Sequence, residues 1–337
     1  MSAVPLLVAS DLDGTLLDEA DYSYAAARPA LAALRERGVP LVLCSSKTRA
    51  EMEPLARELG LDTPLVVENG GAVVLPSGAL LELGTPRPQL VEALGEIAAE
   101  TGVAVRGLAA MDVEEVARRT GLGLEDAALA LERGYDEPFV LEDAGGLEGL
   151  EQAASRRGLR VTRGGRFHHL TGGADKGSAL RRVLEAYAEQ GRHFTSVGLG
   201  DSVNDRPLLE AVDRPILVPR PDGRPDPQLS AALPDAERAP YPGAAGWNAA
   251  VLAVLDGARL PSGPPRAGAD WSGSLRDAAP YLGLGTSLAA SVLLGLGAGY
   301  WLDARLGSAP LCFLVGGAFG LAAAGLQLVR LSPRRKP

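Results

Sequence analysis

Two kinds of apolar spacing alternate along the first part of the chain. Short uninterrupted apolar runs occur at residues 4–10, Val39–Cys44 and Leu65–Val67, and each fits one strand that is buried on both faces. Between them, Ala25–Arg37 and Arg49–Leu59 carry apolar side chains at helical spacing, and a glycine follows each segment as a helix stop signal. Buried strands alternating with helices predict a parallel α/β sheet.

The pattern changes between residues 77 and 170, where short strands mix with helices, and this mixture predicts an inserted α+β domain. The predicted elements of the insertion are helices at Gln89–Glu100, Val113–Arg119, Glu125–Glu132 and Leu147–Arg157, and strands at Val103–Arg106, Phe139–Glu142, Leu159–Arg163 and Arg166–Leu170. The α/β pattern then returns, with helices at Lys176–Glu189, Pro207–Val212 and near Asn248–Asp256, and strands at Thr195–Leu199 and Pro215–Val218. We therefore expect a core domain formed by residues 1–76 and 171–256, with residues 77–170 inserted.

The C-terminal part is much more apolar than the rest. Tyr281–Leu302 and Leu311–Arg330 are stretches of about 20 mostly apolar residues, the length that a helix needs to cross a bilayer. Basic residues lie outside both ends of this pair, and the positive-inside tendency places both ends in the cytoplasm. The expected segments are a linker at 257–277, a two-helix transmembrane hairpin at 278–331 and a basic tail at 332–337, with membrane attachment through residues 281–331.

Charge and cysteine content exclude some classes of protein. The net charge is −9, and no basic stripe or aromatic series suits a nucleic-acid partner. Cys44 and Cys312 lie far apart in apolar runs, which argues against a disulfide framework and fits a reducing compartment. Only three of the 33 basic residues are lysine, and two of these, Lys47 and Lys176, fall within the motifs described below.

The first of these motifs is Asp11-Leu12-Asp13-Gly14-Thr15, directly after the first predicted strand. Two carboxylates at the carboxyl end of a parallel strand face the crevice where α/β folds bind ligands. They can bind a hard divalent cation and leave one carboxylate to attack phosphorus. The alternative interpretation is an acidic turn that only caps the next helix.

A second acidic motif, Gly198–Asp205, follows a later predicted strand and adds Asp201, Asn204 and Asp205 to the possible oxygen ligands. Carboxylates that converge without a cation repel one another, so this cluster is either metal-bound or solvated at a loop tip. Lys176 begins a helix, and an ammonium at a helix N-terminus forms a site for a phosphoryl group, although it can also be an exposed first-turn residue. Ser45 ends the second strand and can donate to the same phosphoryl oxygens.

These motifs, in this order, resemble those of the haloacid dehalogenase (HAD) superfamily of phosphatases. The resemblance implies a HAD-like Rossmannoid parallel-sheet core with an inserted C2-type α+β cap that selects the substrate. It implies that Asp11 is the nucleophile and Asp13 the general acid–base, with Ser45 and Lys176 holding the phosphoryl group. Mg²⁺ would be held by Asp11, by the backbone carbonyl of Asp13 and by Asp201, and the site would be supported by Asn204 and Asp205.

Several further stretches resemble mannosyl-3-phosphoglycerate phosphatases over residues 5–256: Ser45–Thr48, Val67–Gly71, Tyr135–Phe139 and Gly165–Gly173. The resemblance implies hydrolysis of mannosyl-3-phosphoglycerate, with a glucosyl-3-phosphoglycerate or general sugar-phosphate phosphatase as the alternative. Lys47 and Arg166 are candidate partners for the substrate carboxylate. Of His168 and His169, which alternate on a strand, at most one faces the cleft, and a structural role is equally compatible with the pattern. The remaining predicted substrate-binding residues are Ser46, Asn69, Gly70 and His168.

The apolar hairpin has its own resemblance. Gly299–Asp303 and Gly307–Pro310 are similar to a two-helix family encoded beside bacterial ATP synthases, the ATP synthase protein I-like family. That resemblance implies association with ATP synthase, in rotor assembly or ion handling, with the phosphatase as a fused passenger. The other interpretation is a plain anchor that holds a cytoplasmic phosphatase on the inner membrane.

Overall fold

The computed structural model describes residues 4–142, 145–164 and 167–262, and isolated positions between Leu296 and Ala318. The chain forms two compact units, Met1–Pro264 and Pro265–Pro337. The strands of the first unit are β1 (Leu6–Ser10), β2 (Leu41–Cys44), β3 (Leu65–Val67), β4 (Ala72–Val74), β5 (Leu80–Glu82), β6 (Val105–Gly107), β7 (Asp136–Leu141), β8 (Arg160–Gly164), β9 (Phe167–Thr171), β10 (Thr195–Gly200), β11 (Arg214–Leu217) and β12 (Glu237–Arg238). Its α-helices are α1 (Arg28–Glu36), α2 (Arg49–Glu58), α3 (Arg87–Thr101), α4 (Val113–Thr120), α5 (Leu124–Leu131), α6 (Leu147–Arg156), α7 (Lys176–Glu189), α8 (Arg206–Glu210), α9 (Pro227–Ala232) and α10 (Gly243–Leu255).

The main sheet has eight strands in the order β12-β11-β10-β1-β2-β3-β4-β5. All pairs from β12 to β3 are parallel, and β4 and β5 add an antiparallel edge. The predicted parallel α/β core is therefore confirmed. Because β1 lies between β2 and β10, and β10 comes late in the chain, the sheet brings the two acidic motifs side by side.

Helices cover both faces of the main sheet. Alternate residues of a strand point to opposite faces, and in β1 Val8 packs with Leu43 and with Trp247 of α10, whereas Leu7 and Ala9 pack with α7 and α8. Both sets are fully buried, which explains why the strands are continuously apolar in the sequence.

A second sheet lies between β5 and α7 in the chain and has the antiparallel order β6-β7-β9-β8. One face carries Phe139 and Leu170 and packs against α3 and α6. The other face carries Val140 and Phe167, which pack against residues of α4 and α5. We call this α+β layer the cap.

Some elements were not predicted, namely β4, β5, α9 and β12. Each is six residues or fewer, too short for a periodic pattern to be counted. Helix α10 also begins five residues earlier than predicted, at Gly243. Its glycines disfavour a helix by propensity, but Gly246 passes so close to the Tyr241 carbonyl that no side chain would fit there.

The second unit is described at too few positions to test the hairpin. The two predicted spans lie almost wholly outside the described residues. Within the described part of the chain, no helix combines the length and the apolar character needed to cross a bilayer. Of the predicted linker at 257–277, the structure describes residues 257–262.

Candidate active site

Three neighbouring strands of the main sheet end at residues that the sequence predicts to carry the chemistry. Asp11 follows β1, Ser45 follows β2 and Asp201 follows β10. The three strands are parallel and adjacent, so their carboxyl ends meet at one edge of the sheet. Lys176, the first residue of α7, reaches the same edge.

The acidic residues form one compact group around a buried ammonium. Ligand oxygens of Asp11, Asp201 and Asp205 all lie within 4.8 Å of one another. The Lys176 Nζ donates to an oxygen of Asp11 and to one of Asp205, both at 2.6 Å. Lys176 is only 1% exposed, so it is not the exposed first-turn residue of the alternative interpretation.

The backbone of the second motif fixes this group. The other oxygen of Asp205 accepts the backbone N–H groups of Asp201 and Ser202, both at 3.1 Å. The Thr15 hydroxyl donates to Asp201 at 3.1 Å and joins the two motifs. A Cβ on Gly14, where φ is +77°, would lie 2.8 Å from an Asp201 oxygen, so this turn requires glycine.

Burial and repulsion from neighbouring carboxylates make Asp11 and Asp201 hard to ionise. Burial, followed by the charge of Asp205, raises the pKa of Asp11 to about 7 although Lys176 opposes the shift. Burial and the charges of Asp205 and Asp11 raise the pKa of Asp201 to about 9. When all three carboxylates are ionised, their negative charge therefore exceeds the positive charge that Lys176 supplies.

These residues fit a hard divalent cation. Three carboxylates against one ammonium leave two uncompensated negative charges, which one Mg²⁺ would balance, and carboxylate oxygens are the donors that Mg²⁺ prefers. Among the described residues, the group consists of Asp11, Asp201 and Asp205. Asn204, predicted to support the metal site, accepts the Ser202 hydroxyl at 2.5 Å. Asp13 is predicted to bind metal through its backbone carbonyl, and its side chain pairs with Lys47.

We expect Mg²⁺ to stabilise the protein more at pH 8 than at pH 6. A carboxyl group whose pKa is raised on folding binds protons more tightly in the folded state, so without metal the stability falls as pH rises from about 4 toward 7 for Asp11 and toward 9 for Asp201. Mg²⁺ binds the ionised group and offsets that loss. The measurement is the melting temperature with and without Mg²⁺ at both pH values.

The variant Asp201→Asn serves as the control for this effect, because it removes one carboxylate and should lose most of the Mg²⁺-dependent increase at pH 8. A Mg²⁺-dependent increase that is equal at the two pH values, or larger at pH 6, would contradict the assignment of the cation to this group.

The loop Ser45–Lys47 lies beside the acidic group. Ser45 is buried, and its hydroxyl accepts the Lys47 N–H at 3.2 Å. The Lys47 ammonium lies 3.1 Å from an Asp13 oxygen and 5.1 Å from the centre of the Tyr22 ring. Since the Asp13 side chain is 38% exposed while Asp11 is buried, the two carboxylates of the first motif occupy different environments.

Asn69 and Gly70 belong to a tight turn after β3. Glu68 and Asn69 both have left-handed backbone conformations, with φ of 49° and 57°. The Asn69 N–H donates to the Ser45 carbonyl at 2.9 Å. A Cβ on Gly70 would lie 2.2 Å from the Asp175 carbonyl, so Gly70 permits close approach of this turn to the start of α7.

We expect Gly70→Ala to destabilise the protein by about 3 kcal/mol, since it combines a left-handed backbone with a clash against backbone atoms. Gly38→Ala is the matched control, because Gly38 has a similar φ of +62° but open space around its Cβ position, and it should cost about 1 kcal/mol. Urea unfolding of both variants measures the difference. Equal losses of unfolding free energy in the two variants would show that the close approach of this turn to α7 contributes nothing to stability.

The cap sheet places His168 and His169 on opposite faces. His168 lies on the same face of the cap sheet as Phe139, with ring centres 5.6 Å apart. The neighbouring His169 points to the other face, where its Nδ1 lies 2.7 Å from Asp136. Asp136 also accepts from Arg133, which reaches the Ser46 carbonyl. Arg166 lies outside the described residues.

Thr15, Glu68 and Arg133 are the site-proximal residues that sequence reasoning missed. Thr15 stands within the first motif, so its position was a usable signal. Glu68 and Arg133 make contacts between segments 66 to 87 residues apart in the chain, which a single sequence does not reveal.

Comparison with known proteins agrees with this geometry. Residues 8–111 match the family described as haloacid dehalogenase-like hydrolase, and residues 278–331 match the family described as putative F0F1-ATPase subunit Ca²⁺/Mg²⁺ transporter. A glucosyl-3-phosphoglycerate/mannosyl-3-phosphoglycerate phosphatase of Methanococcoides burtonii is 40% identical over 265 residues, covering 74% of this chain and 97% of the relative. The protein of the same name from Persephonella marina is 38% identical over 267 residues, with the same coverage.

Solved structures share the fold at low sequence identity. A Thermoplasma acidophilum protein has a TM-score of 0.57 at 19% identity, covering 75% of this chain and 99% of its own. A HAD-superfamily phosphatase from Bacteroides thetaiotaomicron has a TM-score of 0.56 at 18% identity, covering 76% and 96%. The chain matches 97% of the length of each of the two phosphoglycerate phosphatases at 40% and 38% identity. It therefore belongs to the HAD superfamily of phosphatases and, within it, to the family of the glucosyl-3-phosphoglycerate/mannosyl-3-phosphoglycerate phosphatases.

Proposed function

We propose that the chain hydrolyses mannosyl-3-phosphoglycerate to mannosylglycerate and phosphate through an aspartyl-phosphate on Asp11. The observation that carries the proposal is the buried group of Asp11, Asp201 and Asp205 around Lys176, at the ends of adjacent parallel strands. The names of the two curated relatives support the class of substrate.

In the proposed reaction, Asp11 and Asp13 carry out two successive displacements at phosphorus. Asp11 attacks phosphorus, and the bond from phosphorus to the glycerate oxygen breaks while Asp13 donates a proton to that oxygen. Asp13 then takes a proton from water, whose oxygen attacks the same phosphorus and releases phosphate from Asp11. The partial exposure of Asp13 supports its part, since the group must exchange protons with substrate and water.

The remaining residues of the site hold the phosphoryl group. Lys176 and the Ser45 hydroxyl neutralise its oxygens as charge moves during transfer. When bound by Asp11, Asp201 and the Asp13 backbone carbonyl, with Asn204 and Asp205 in support, Mg²⁺ supplies positive charge to the carboxylates and the phosphate. A low dielectric strengthens each of these contacts, and the burial of Asp11 and Lys176 supports such an environment.

The substrate carries a carboxylate and a sugar besides its phosphate. Lys47, next to the phosphate-binding Ser45 and already engaged with an anion, is the proposed partner of that carboxylate, with Ser46, Asn69, Gly70, Arg166 and His168 as the other proposed substrate contacts. The glucosyl ester is the second candidate, because both curated relatives are named for both esters.

The test is Mg²⁺-dependent phosphate release by the full-length chain from the mannosyl and glucosyl esters, with sugar 6-phosphates as controls. The proposal expects kcat/KM for one or both glycerate esters to exceed that for the sugar 6-phosphates by at least about 100-fold, a discrimination of ~2.7 kcal/mol. Comparable values of kcat/KM for the glycerate esters and the sugar 6-phosphates would instead indicate a general sugar phosphatase.

For residues 278–331 we propose membrane attachment through residues 281–331 and association with ATP synthase, which the family match of this segment supports. The phosphatase would then face the cytoplasm. Co-purification of ATP synthase subunits with the full-length chain, lost on deleting residues 276–331, is the expected result. A deletion that changes neither membrane fractionation nor co-purification would reject this proposal and leave the phosphatase proposal intact.

A further inference from the structure

The three backbone carbonyls of the Ser45–Lys47 loop are each held by a hydrogen bond from another segment. The Ser45 carbonyl accepts the Asn69 N–H at 2.9 Å, and the Lys47 carbonyl accepts the Glu68 N–H at 2.9 Å. Both of these donors belong to the core. The middle carbonyl, that of Ser46, instead accepts Nη1 of Arg133 at 3.0 Å, and Arg133 belongs to the cap.

Arg133 is itself held in place by cap residues. The same Nη1 donates to Asp136 at 3.0 Å, and its Nε donates to the Ala130 carbonyl at 3.1 Å. Asp136 is fully buried and also lies 2.7 Å from His169. The Arg133 side chain is only 9% exposed. Burial and its hydrogen bonds to Asp136 and Ala130 therefore hold the guanidinium in the position from which it donates to the Ser46 carbonyl.

A second set of hydrogen bonds also joins the cap to the core, and here backbone N–H groups of the cap donate to a core side chain. The Glu68 carboxylate accepts the N–H groups of Gly134 at 2.9 Å and Tyr135 at 2.8 Å, directly after Arg133. Glu68 and Asn69 adopt left-handed conformations that non-glycine residues rarely take. In this conformation the N–H groups of Glu68 and Asn69 donate to carbonyls of the Ser45–Lys47 loop. The Glu68 carboxylate at the same time accepts from the cap backbone.

We propose that Arg133 is a positioning residue that fixes the Ser45–Lys47 loop only when the cap is docked on the core. The Ser46 carbonyl sits between the Ser45 hydroxyl, proposed to hold the phosphoryl group, and Lys47, paired with Asp13. Losing its donor frees this loop and misplaces both side chains. The inference rests on the proposed roles of Ser45 and Asp13, and it adds a link between cap docking and the alignment of the catalytic loop.

The experiment compares Arg133→Met and Arg133→Lys with wild type in the full-length chain. Both variants should lower kcat between 10- and 100-fold while KM changes less than threefold, since a misplaced catalytic group affects the chemical step more than binding. Lysine keeps a cation beside Asp136, so Arg133→Lys should melt close to wild type. Its shorter side chain ends before the Nη1 position, so it should not restore kcat.

Arg156→Met is the matched control, because Arg156 is a cap arginine with a 60% exposed side chain and an ion pair to Glu100; it should leave both constants unchanged. The assays use p-nitrophenyl phosphate as well as the two hexosyl esters. Wild type that turns over p-nitrophenyl phosphate but neither ester rejects the proposed substrate, and the Arg133 comparison is then read on p-nitrophenyl phosphate.

Three results would overturn the inference. Wild-type kcat in both variants means that the Ser46 contact does not position the loop. A raised KM at wild-type kcat means that Arg133 contacts substrate instead. Full recovery of kcat in Arg133→Lys means that the charge beside Asp136 matters and the directed hydrogen bond does not.

Discussion

Asp11→Asn should lower kcat for every phosphate ester by on the order of 10⁴-fold or more, because the amide cannot act as the nucleophile that forms the acyl phosphate. The substitution keeps the size of the side chain and an oxygen that can accept from Lys176, which lies 2.6 Å from Asp11. Initial rates at saturating substrate and Mg²⁺ measure the loss. A residual rate above about 1% of wild type would reject Asp11 as the nucleophile.

The same substitution separates catalysis from folding. Burial and neighbouring carboxylates raise the pKa of Asp11 to about 7, so at pH 8 without metal the ionised side chain destabilises the folded state, and a neutral asparagine does not. Apo Asp11→Asn should therefore melt at or above the temperature of the wild type. Asp62→Asn, an exposed aspartate, is the control and should change neither activity nor melting.

How much the sequence revealed depends on how local each feature is. The residue that follows a buried strand is a local property, and the sheet did bring Asp11, Ser45 and Asp201 to one edge, as the pattern of parallel strands requires. The position of Lys176 at the start of a helix was also readable, since Asp175 caps that helix by accepting the Ser178 N–H.

Features that depend on register or on distant contacts were not readable. Alternation shows that His168 and His169 face opposite ways, but only the pairing of β9 with β7 puts His169 next to Asp136. Likewise, no local signal pairs Lys47 with Asp13, or Arg133 with the Ser46 carbonyl, because both depend on how loops from different elements meet. The short edge strands β4 and β5 are set by pairing rather than by their own sequence.

Lys176→Met should cause the largest combined loss of activity and stability. The ammonium is buried and shared by Asp11 and Asp205 at 2.6 Å each. Removing one partner of a buried ion pair costs about 3–5 kcal/mol, because the remaining charges stay buried without compensation. The phosphoryl group also loses a proposed cationic contact, which should lower kcat by on the order of 10³-fold.

Lys47→Met is the matched control for this stability effect. Lys47 is the other lysine of the site, but its partner Asp13 is 38% exposed, so water can replace much of the interaction. The expected loss of stability is about 1 kcal/mol. A similar stability loss in the two variants would show that the burial of the Lys176 pair has no special energetic role.

The stability loss of Lys176→Met should also depend on pH in a defined direction. Without the ammonium, nothing opposes the effect of burial on Asp11, so its folded-state pKa rises further above the ordinary value. The folded variant then holds protons that the unfolded chain releases, and its stability falls more steeply than that of wild type as pH rises from 5 to 8. Unfolding at the two pH values, without metal, measures this slope, and Mg²⁺ at pH 8 should recover part of the loss because it supplies charge to the same carboxylates. A loss that is equal at pH 5 and pH 8 would mean that Lys176 acts through packing and not through its charge.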